Sequence, residues 1–264
     1  MLQNKFLCVV SGTTLTAIVL LTGCKLSSRY TTKDVTARVE KANAQTIASE
    51  ENMTKGELAN AKFKDKLSGI NLLNALKQGG YVIYFRHAQT EKDYADQVTA
   101  VMGNCSTQRV LSEVGWKQAK DIGEGFRKNA IPFDQVISSQ YCRAWQTADL
   151  AFGKYDKNSD LNFPKAEDYT PEQVAQMKER LDPMLTAVPA QGTNIVIVGH
   201  DDLFEASTGI YPDPQGIAYI IKPDGSGNFD LVANILPEEW LKLGGSSVSY
   251  THLTLPSSHC VLLW

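Results

Sequence analysis

Arg86 and His87 stand side by side where the apolar run Tyr81-Val82-Ile83-Tyr84-Phe85 ends, and Arg143 and His200 follow two further β-type runs, Phe133–Ser139 and Asn194–Val198. A fixed cation beside an imidazole at the end of a buried strand builds an anion site with a nucleophile in it. Arginine presents a planar fork of donors that matches the oxygens of a carboxylate or phosphoryl group. Imidazole can attack through a ring nitrogen and form a covalent intermediate. Taken singly, each histidine reads as a packed or surface residue, but their joint placement with two arginines at strand ends reverses that reading.

The elements that must carry these residues follow from hydrophobic periodicity. A short helix over Ser68–Lys77, closed by Gly79-Gly80, leads into a strand at Tyr81–Phe85. A polar loop from Gln89 to about Arg109 is long enough to be functional. Leu111, Gly115, Ala119, Ile122 and Phe126 give the stripe of a helix capped by Ser112 and running to about Asn129. The strand Phe133–Ser139 passes into a helix that opens at Gln140 and ends near Phe152, with Arg143 just past the strand. Asp160–Asp168 reads as irregular. Thr170-Pro171-Glu172-Gln173 then caps a helix whose buried stripe is Val174, Met177, Leu181 and Leu185. After Asn194–Val198, two strands at Gly216–Lys222 and Phe229–Leu236 are joined by the turn Pro223–Gly227. In open parallel sheets the carboxyl ends of the strands are where ligands bind.

The two ends of the 264-residue chain read differently from its middle. Met1–Lys5 and the uncharged apolar run Phe6–Leu21 form a secretory signal over residues 1–23, and Leu21-Thr22-Gly23-Cys24 resembles the bacterial lipobox, with Cys24 the lipidated residue. Lys25 after the cysteine favours the outer membrane, so the expected location is the cell envelope, anchored by lipid and facing the periplasm. Residues 24–67 are polar and read as a tether. Residues 247–264 lack charge and resemble a translated sequencing adapter, so His252, His259 and Cys260 receive no role. That leaves 68–246 as one α/β domain. The formal charge is −3, and removal of Lys5 with the signal makes the chain one unit more acidic, which gives no support for nucleic-acid binding. Cys105 and Cys142 remain in the domain. An oxidising envelope makes a bridge between them the natural pairing, the alternative being two reduced, buried thiols. No cluster has metal-ligand spacing, and no cofactor is called for.

Four motifs in order resemble the histidine phosphatase superfamily, the phosphoglycerate mutase-like fold. They are Arg86-His87-Ala88 with Thr90, Leu111–Ala119, Ser138–Ala148 and Val198-Gly199-His200, within a span from Asn71 to Trp240. The resemblance implies a three-layer α/β/α sandwich with a mostly parallel central sheet. It implies His87 as the nucleophile, and Arg86, Arg143 and, if protonated, His200 as phosphoryl ligands. Thr90 offers a hydroxyl to the same oxygens or serves as a turn former. The proton donor is Asp201 in the acid-phosphatase-like pattern and Glu167 in the mutase-like one, while Asp201 with Asp202 also reads as a helix cap. Envelope-type relatives carry cysteines at the places of Cys105 and Cys142, which favours the bridge.

The expected function is hydrolysis of a phosphomonoester or phosphoanhydride, on a phosphorylated small molecule or envelope glycan. The short domain leaves no room for the long specificity insertions of sugar-phosphate mutases. The alternative is a lipoprotein that binds phosphate or glycan without turnover. Oligomeric state is not legible.

Overall fold

The computed structural model describes residues 52–91, 96, 100–165 and 168–244. The signal, Cys24, Glu167 and the adapter-like tail lie outside these residues. Six strands form one sheet: β1 (Val82–Arg86), β2 (Gln135–Ser139), β3 (Asp156–Asn158), β4 (Ile195–Gly199), β5 (Ala218–Pro223) and β6 (Phe229–Ile235), in the order β3-β2-β4-β1-β5-β6. The pairs β3–β2, β2–β4 and β4–β1 are parallel, whereas β1–β5 and β5–β6 are antiparallel. Expectation and structure thus agree on a mostly parallel sheet with helices.

β1 and β4 are buried along their whole length, as central strands covered on both faces must be, and this is why they read as unbroken apolar runs. Alternate residues serve two cores. Ile83, Phe85, Val196 and Val198 face a cluster with Leu76, Ile122, Phe126, Ala148 and Trp240, contributed by helices α2 (Gly69–Gln78), α3 (Glu113–Lys128) and α4 (Cys142–Phe152) and a final 3-10 turn, Pro237–Lys242. Val82, Tyr84, Ile195 and Ile197 face Met177, Leu181, Leu203 and Phe204 from α5 (Pro171–Leu185) and α6 (Asp201–Thr208). Two apolar layers separated by one sheet make the α/β/α sandwich.

The local signals place the helices as read. Ser112 Oγ accepts from Gly115 N at 3.1 Å at the start of α3, and Thr170 with Gln173 forms the capping box of α5. Three features differ from expectation. The edge strand β3 has only three polar residues, too few for any periodicity to show. The stretch expected to be irregular begins in a 3-10 turn, Ser159–Leu161, whose Leu161 is fully buried. The compact unit also begins at Asn52, not near Ser68. Residues Lys55–Lys62 form a helix, α1, opened by a Thr54–Glu57 capping box, and the following Lys66 N donates to Val232 O at 2.7 Å.

Candidate active site

The register of the sheet assembles the motifs. Arg86 lies opposite Gly199, and Ser138 opposite Val198, so the residues that follow three parallel strands emerge at one edge. His87 and His200 come within 5.4 Å between ring centroids, and Arg86, His87, Arg143 and His200 are all buried.

His87 has a defined tautomer. Its Nδ1 lies 2.9 Å from the carbonyl of Ala88, which can only accept, so Nδ1 carries the hydrogen. Nε2 is left with its lone pair and accepts from Arg143 Nε at 3.2 Å. Burial, then the charges of Arg143 and Arg86, hold the His87 pKa well below its ordinary value, so the ring is unprotonated at neutral pH.

Arg143 sits in the first turn of α4 with its guanidinium 5.0 and 5.2 Å from the centroids of the Tyr141 and Phe163 rings, which stack on each other at 4.4 Å. Its Nη1 donates to both oxygens of Asp96 at 3.0 Å, and Asp96 Oδ1 also accepts from Arg109 N at 2.7 Å. The residue before Arg143 is held twice. Cys142 forms the disulfide with Cys105, with Cα atoms 5.6 Å apart, and its N–H donates to Gln108 Oε1 at 2.8 Å.

Arg86 is held from the opposite side. Its Nη1 donates to Pro212 O at 2.9 Å and Asp213 Oδ1 at 3.2 Å, and its Nη2 to Asp201 Oδ2 at 2.9 Å and to the Tyr211 hydroxyl at 3.1 Å. Its Nε is buried without a partner.

The proton on His200 follows from its neighbours. Asn162 Nδ2 donates to Gln140 Oε1, so Asn162 Oδ1 is the acceptor for the Ser139 hydroxyl at 2.8 Å. Ser139 Oγ must then accept from His200 Nε2 at 2.9 Å, which leaves His200 Nδ1 as a buried lone pair with no partner. Burial, followed by Arg143 and His87, keeps the His200 pKa well below normal. His200, whose donor role the sequence makes conditional on protonation, is therefore neutral in this structure.

Two carboxyls follow His200 at the start of α6. Asp201 is the Arg86 partner. Asp202 accepts from the Tyr169 hydroxyl at 3.0 Å, and burial, then the charge of Asp201, pushes its pKa up to about 6. Thr90 is buried, and its hydroxyl and N–H both donate to Gln215 Oε1, at 3.3 and 2.9 Å.

Sequence reasoning missed the groups that hold the arginines. Asp96 and Tyr211–Gln215 lie in loops with no periodicity, and the Asp213-Pro214 dipeptide signals only a turn. Asn162 and Phe163 sit in the stretch read as irregular. Arg109 was read only as the end of a loop, yet its charge contributes to lowering the pKa of both histidines, and its buried Nε has no partner.

Buried arginines and an unprotonated imidazole at the carboxyl edge of an α/β sheet define a class of protein built to receive an anion. Residues 82–158 match the family model of the histidine phosphatase superfamily (branch 1). The serine/threonine-protein phosphatase Pgam5, mitochondrial, of Drosophila ananassae is 28% identical over 189 residues, 69% of this chain and 61% of that protein. The chain thus spans less than two thirds of that relative's length. Among solved structures, similarity extends to the protein histidine phosphatase SixA complexed with tungstate, with TM-score 0.42, 17% identity and coverage of 60% of this chain and 98% of that one. It extends also to a phosphoserine phosphatase mutant from Entamoeba histolytica in complex with phosphoserine, with TM-score 0.42, 16% identity and coverage of 58% and 95%.

Proposed function

We propose that the protein is a phosphatase that hydrolyses a phosphomonoester or phosphoanhydride through a phosphohistidine on His87. The observation that carries this reading is the fixed tautomer of His87, whose Nε2 lone pair is directed at the guanidinium of Arg143. In the first step Nε2 attacks phosphorus, the N–P bond forms and the bond to the leaving oxygen breaks as that oxygen takes a proton. In the second, water attacks the same phosphorus, the N–P bond breaks and the displaced proton returns to the acid. Arg143 Nε–H must move from Nε2 onto a phosphoryl oxygen, and the phosphoryl group replaces Asp96 on its fork. His200 is kept neutral first by burial and then by the neighbouring arginines; an incoming dianion opposes the second cause, so proton uptake at Nδ1 would turn that lone pair into a donor.

For the leaving-group proton, Asp201 is the expected donor but shares Arg86. Asp202 favours a second reading, because a carboxyl with a pKa raised to about 6 keeps a minor fraction of its population protonated near neutral pH and can be reprotonated each turnover. The leaving-group dependence of each Asp→Asn variant distinguishes the two. We further propose that the enzyme works in the bacterial envelope, lipid-anchored through Cys24 and directed to a phosphorylated small molecule or glycan. The lipobox resemblance supports this, and the Cys105–Cys142 disulfide suits an oxidising compartment. Fatty-acid labelling that persists in a Cys24→Ser chain would remove the anchor proposal.

Rapid quench into alkaline detergent, in which phosphohistidine survives, tests the chemistry. Wild type turned over on p-nitrophenyl phosphate should yield an acid-labile phosphoenzyme that is absent from His87→Ala. Full activity in His87→Ala would refute the reading, and a protein that binds phosphate without trapping or turnover would be the non-catalytic alternative.

A further inference from the structure

The segment expected to be a spacer reaches the candidate site. α1 has only eight residues, too few for a stable helix in isolation, so its formation depends on what it docks against. Gly56 is buried, a Cβ there would overlap Glu205 and come within 3.1 Å of Tyr211 Cβ, and its carbonyl accepts from Tyr211 N at 3.1 Å. One turn on, Asn60 Nδ2 donates to the carbonyl of Asp213 at 2.8 Å, while Asn60 Oδ1 accepts from the Tyr219 hydroxyl. Phe63 packs its ring against Tyr219 at 5.2 Å. The three residues seated in this way, Tyr211, Pro212 and Asp213, are the ones that hold the Arg86 guanidinium. The same loop continues to Gln215, which binds Thr90, and to Gly216, whose N–H donates to His87 O at 2.9 Å.

We propose that α1 is a positioning element of the oxyanion site: through Asn60 and the Gly56 carbonyl it seats the Tyr211–Asp213 loop and thereby fixes Arg86. This segment at the start of the compact unit, ahead of β1, thus tunes affinity for the phosphoryl group without touching it. Any surface or partner that takes hold of residues 52–62 competes with that function. The inference rests on the phosphoryl-site reading given above.

The experiment uses the full chain and compares wild type, Asn60→Ala and Asn60→Asp, the last keeping the side-chain shape and an acceptor for Tyr219 while losing the donor to Asp213. Ile220→Val in β5 serves as a destabilised control. Binding of inorganic phosphate and orthovanadate by calorimetry, KM and kcat on p-nitrophenyl phosphate, and the thermal midpoint are measured together. Both Asn60 variants should weaken oxyanion binding and raise KM by about 3- to 10-fold, the range expected for loss of one hydrogen bond, with Ile220→Val unchanged in both. Oxyanion affinity equal to wild type in a folded Asn60 variant, or an equal loss in Ile220→Val, overturns the proposal. If wild type itself binds neither anion, it is the phosphoryl-site reading that fails.

Discussion

The two arginines of the site are both buried and both paired with carboxylates, yet they are held in different ways. Arg86 leaves the end of β1 into a fixed cradle of one backbone-anchored loop and a helix, with four acceptors from Tyr211, Pro212, Asp213 and Asp201. Arg143 stands at a helix start beside two stacked aromatic rings, and its Nη1 is taken by one carboxylate, Asp96, from the loop whose Cys105 a disulfide joins to α4. The difference separates a cation fixed by a full set of acceptors, with only its buried Nε left to meet a phosphoryl oxygen, from one whose partner a substrate can replace. Burying a guanidinium is costly unless its donors are satisfied. The Asp96 pairing meets that cost on the side where phosphoryl oxygens must enter.

The largest effects should come from removing the forks themselves. Arg143→Lys and Arg86→Lys are each expected to lower kcat/KM by roughly 10²- to 10³-fold. Only Arg86→Lys should also lose stability, by about 2 kcal/mol in denaturant melts, because several acceptors of its cradle lose their donors. Equal stability losses in the two variants would erase the contrast.

Reduction of the Cys105–Cys142 bridge, which spans 37 residues, should cost about 2–4 kcal/mol by the loop-entropy estimate. It should weaken phosphate binding through the Arg143 side while leaving the Arg86 cradle intact.

The next effect concerns pH. His87 acts unprotonated and its pKa is depressed, so the acid limb of kcat/KM should lie below pH 6.5. Asp202→Asn should remove roughly 10²-fold of activity on an alkyl phosphate, spare p-nitrophenyl phosphate and flatten the alkaline limb. Its stability effect has a definite sign. A carboxyl raised from 3.8 to about 6 contributes stability that is complete below pH 3.8 and lost as pH rises through 6, so the variant should gain on wild type above pH 6.

The smallest expected effect is opposite in sign to the rest. Asp96→Asn removes the competing charge on Arg143, and inorganic phosphate should bind about 3-fold more tightly.

The comparison also explains what the sequence made legible. β1 and β4 announced themselves because central strands must be apolar throughout, and the residues following them inherit their position from the register. The helix over Glu113–Lys128 was legible because a single buried face repeats along it. Asp96, Asn162 and Asp213 were not, since a loop carboxylate or amide near an arginine has no period and its partner lies far away in the chain. Asn60 and Asp213 are 153 residues apart, and nothing local marks either one. α1 was read as tether because eight mostly polar residues give almost no apolar stripe, and its stability is tertiary. The charge of His200 stays open in the sequence because it depends on burial, which, followed by Arg143, lowers its pKa.

The Tyr84 side chain on β1 reaches to Gly199 at the end of β4, two positions beyond its own register partner Ile197. The Tyr84 hydroxyl donates to His200 O at 2.7 Å and accepts from His200 N at 3.0 Å, occupying the space that any side chain at position 199 would need. In evolutionary terms the two positions are a single inherited character. A lineage that replaces Gly199 must first surrender the tyrosine hydroxyl, and with it the anchor of the second histidine. Substitutions at the two sites should therefore appear together across relatives or not at all.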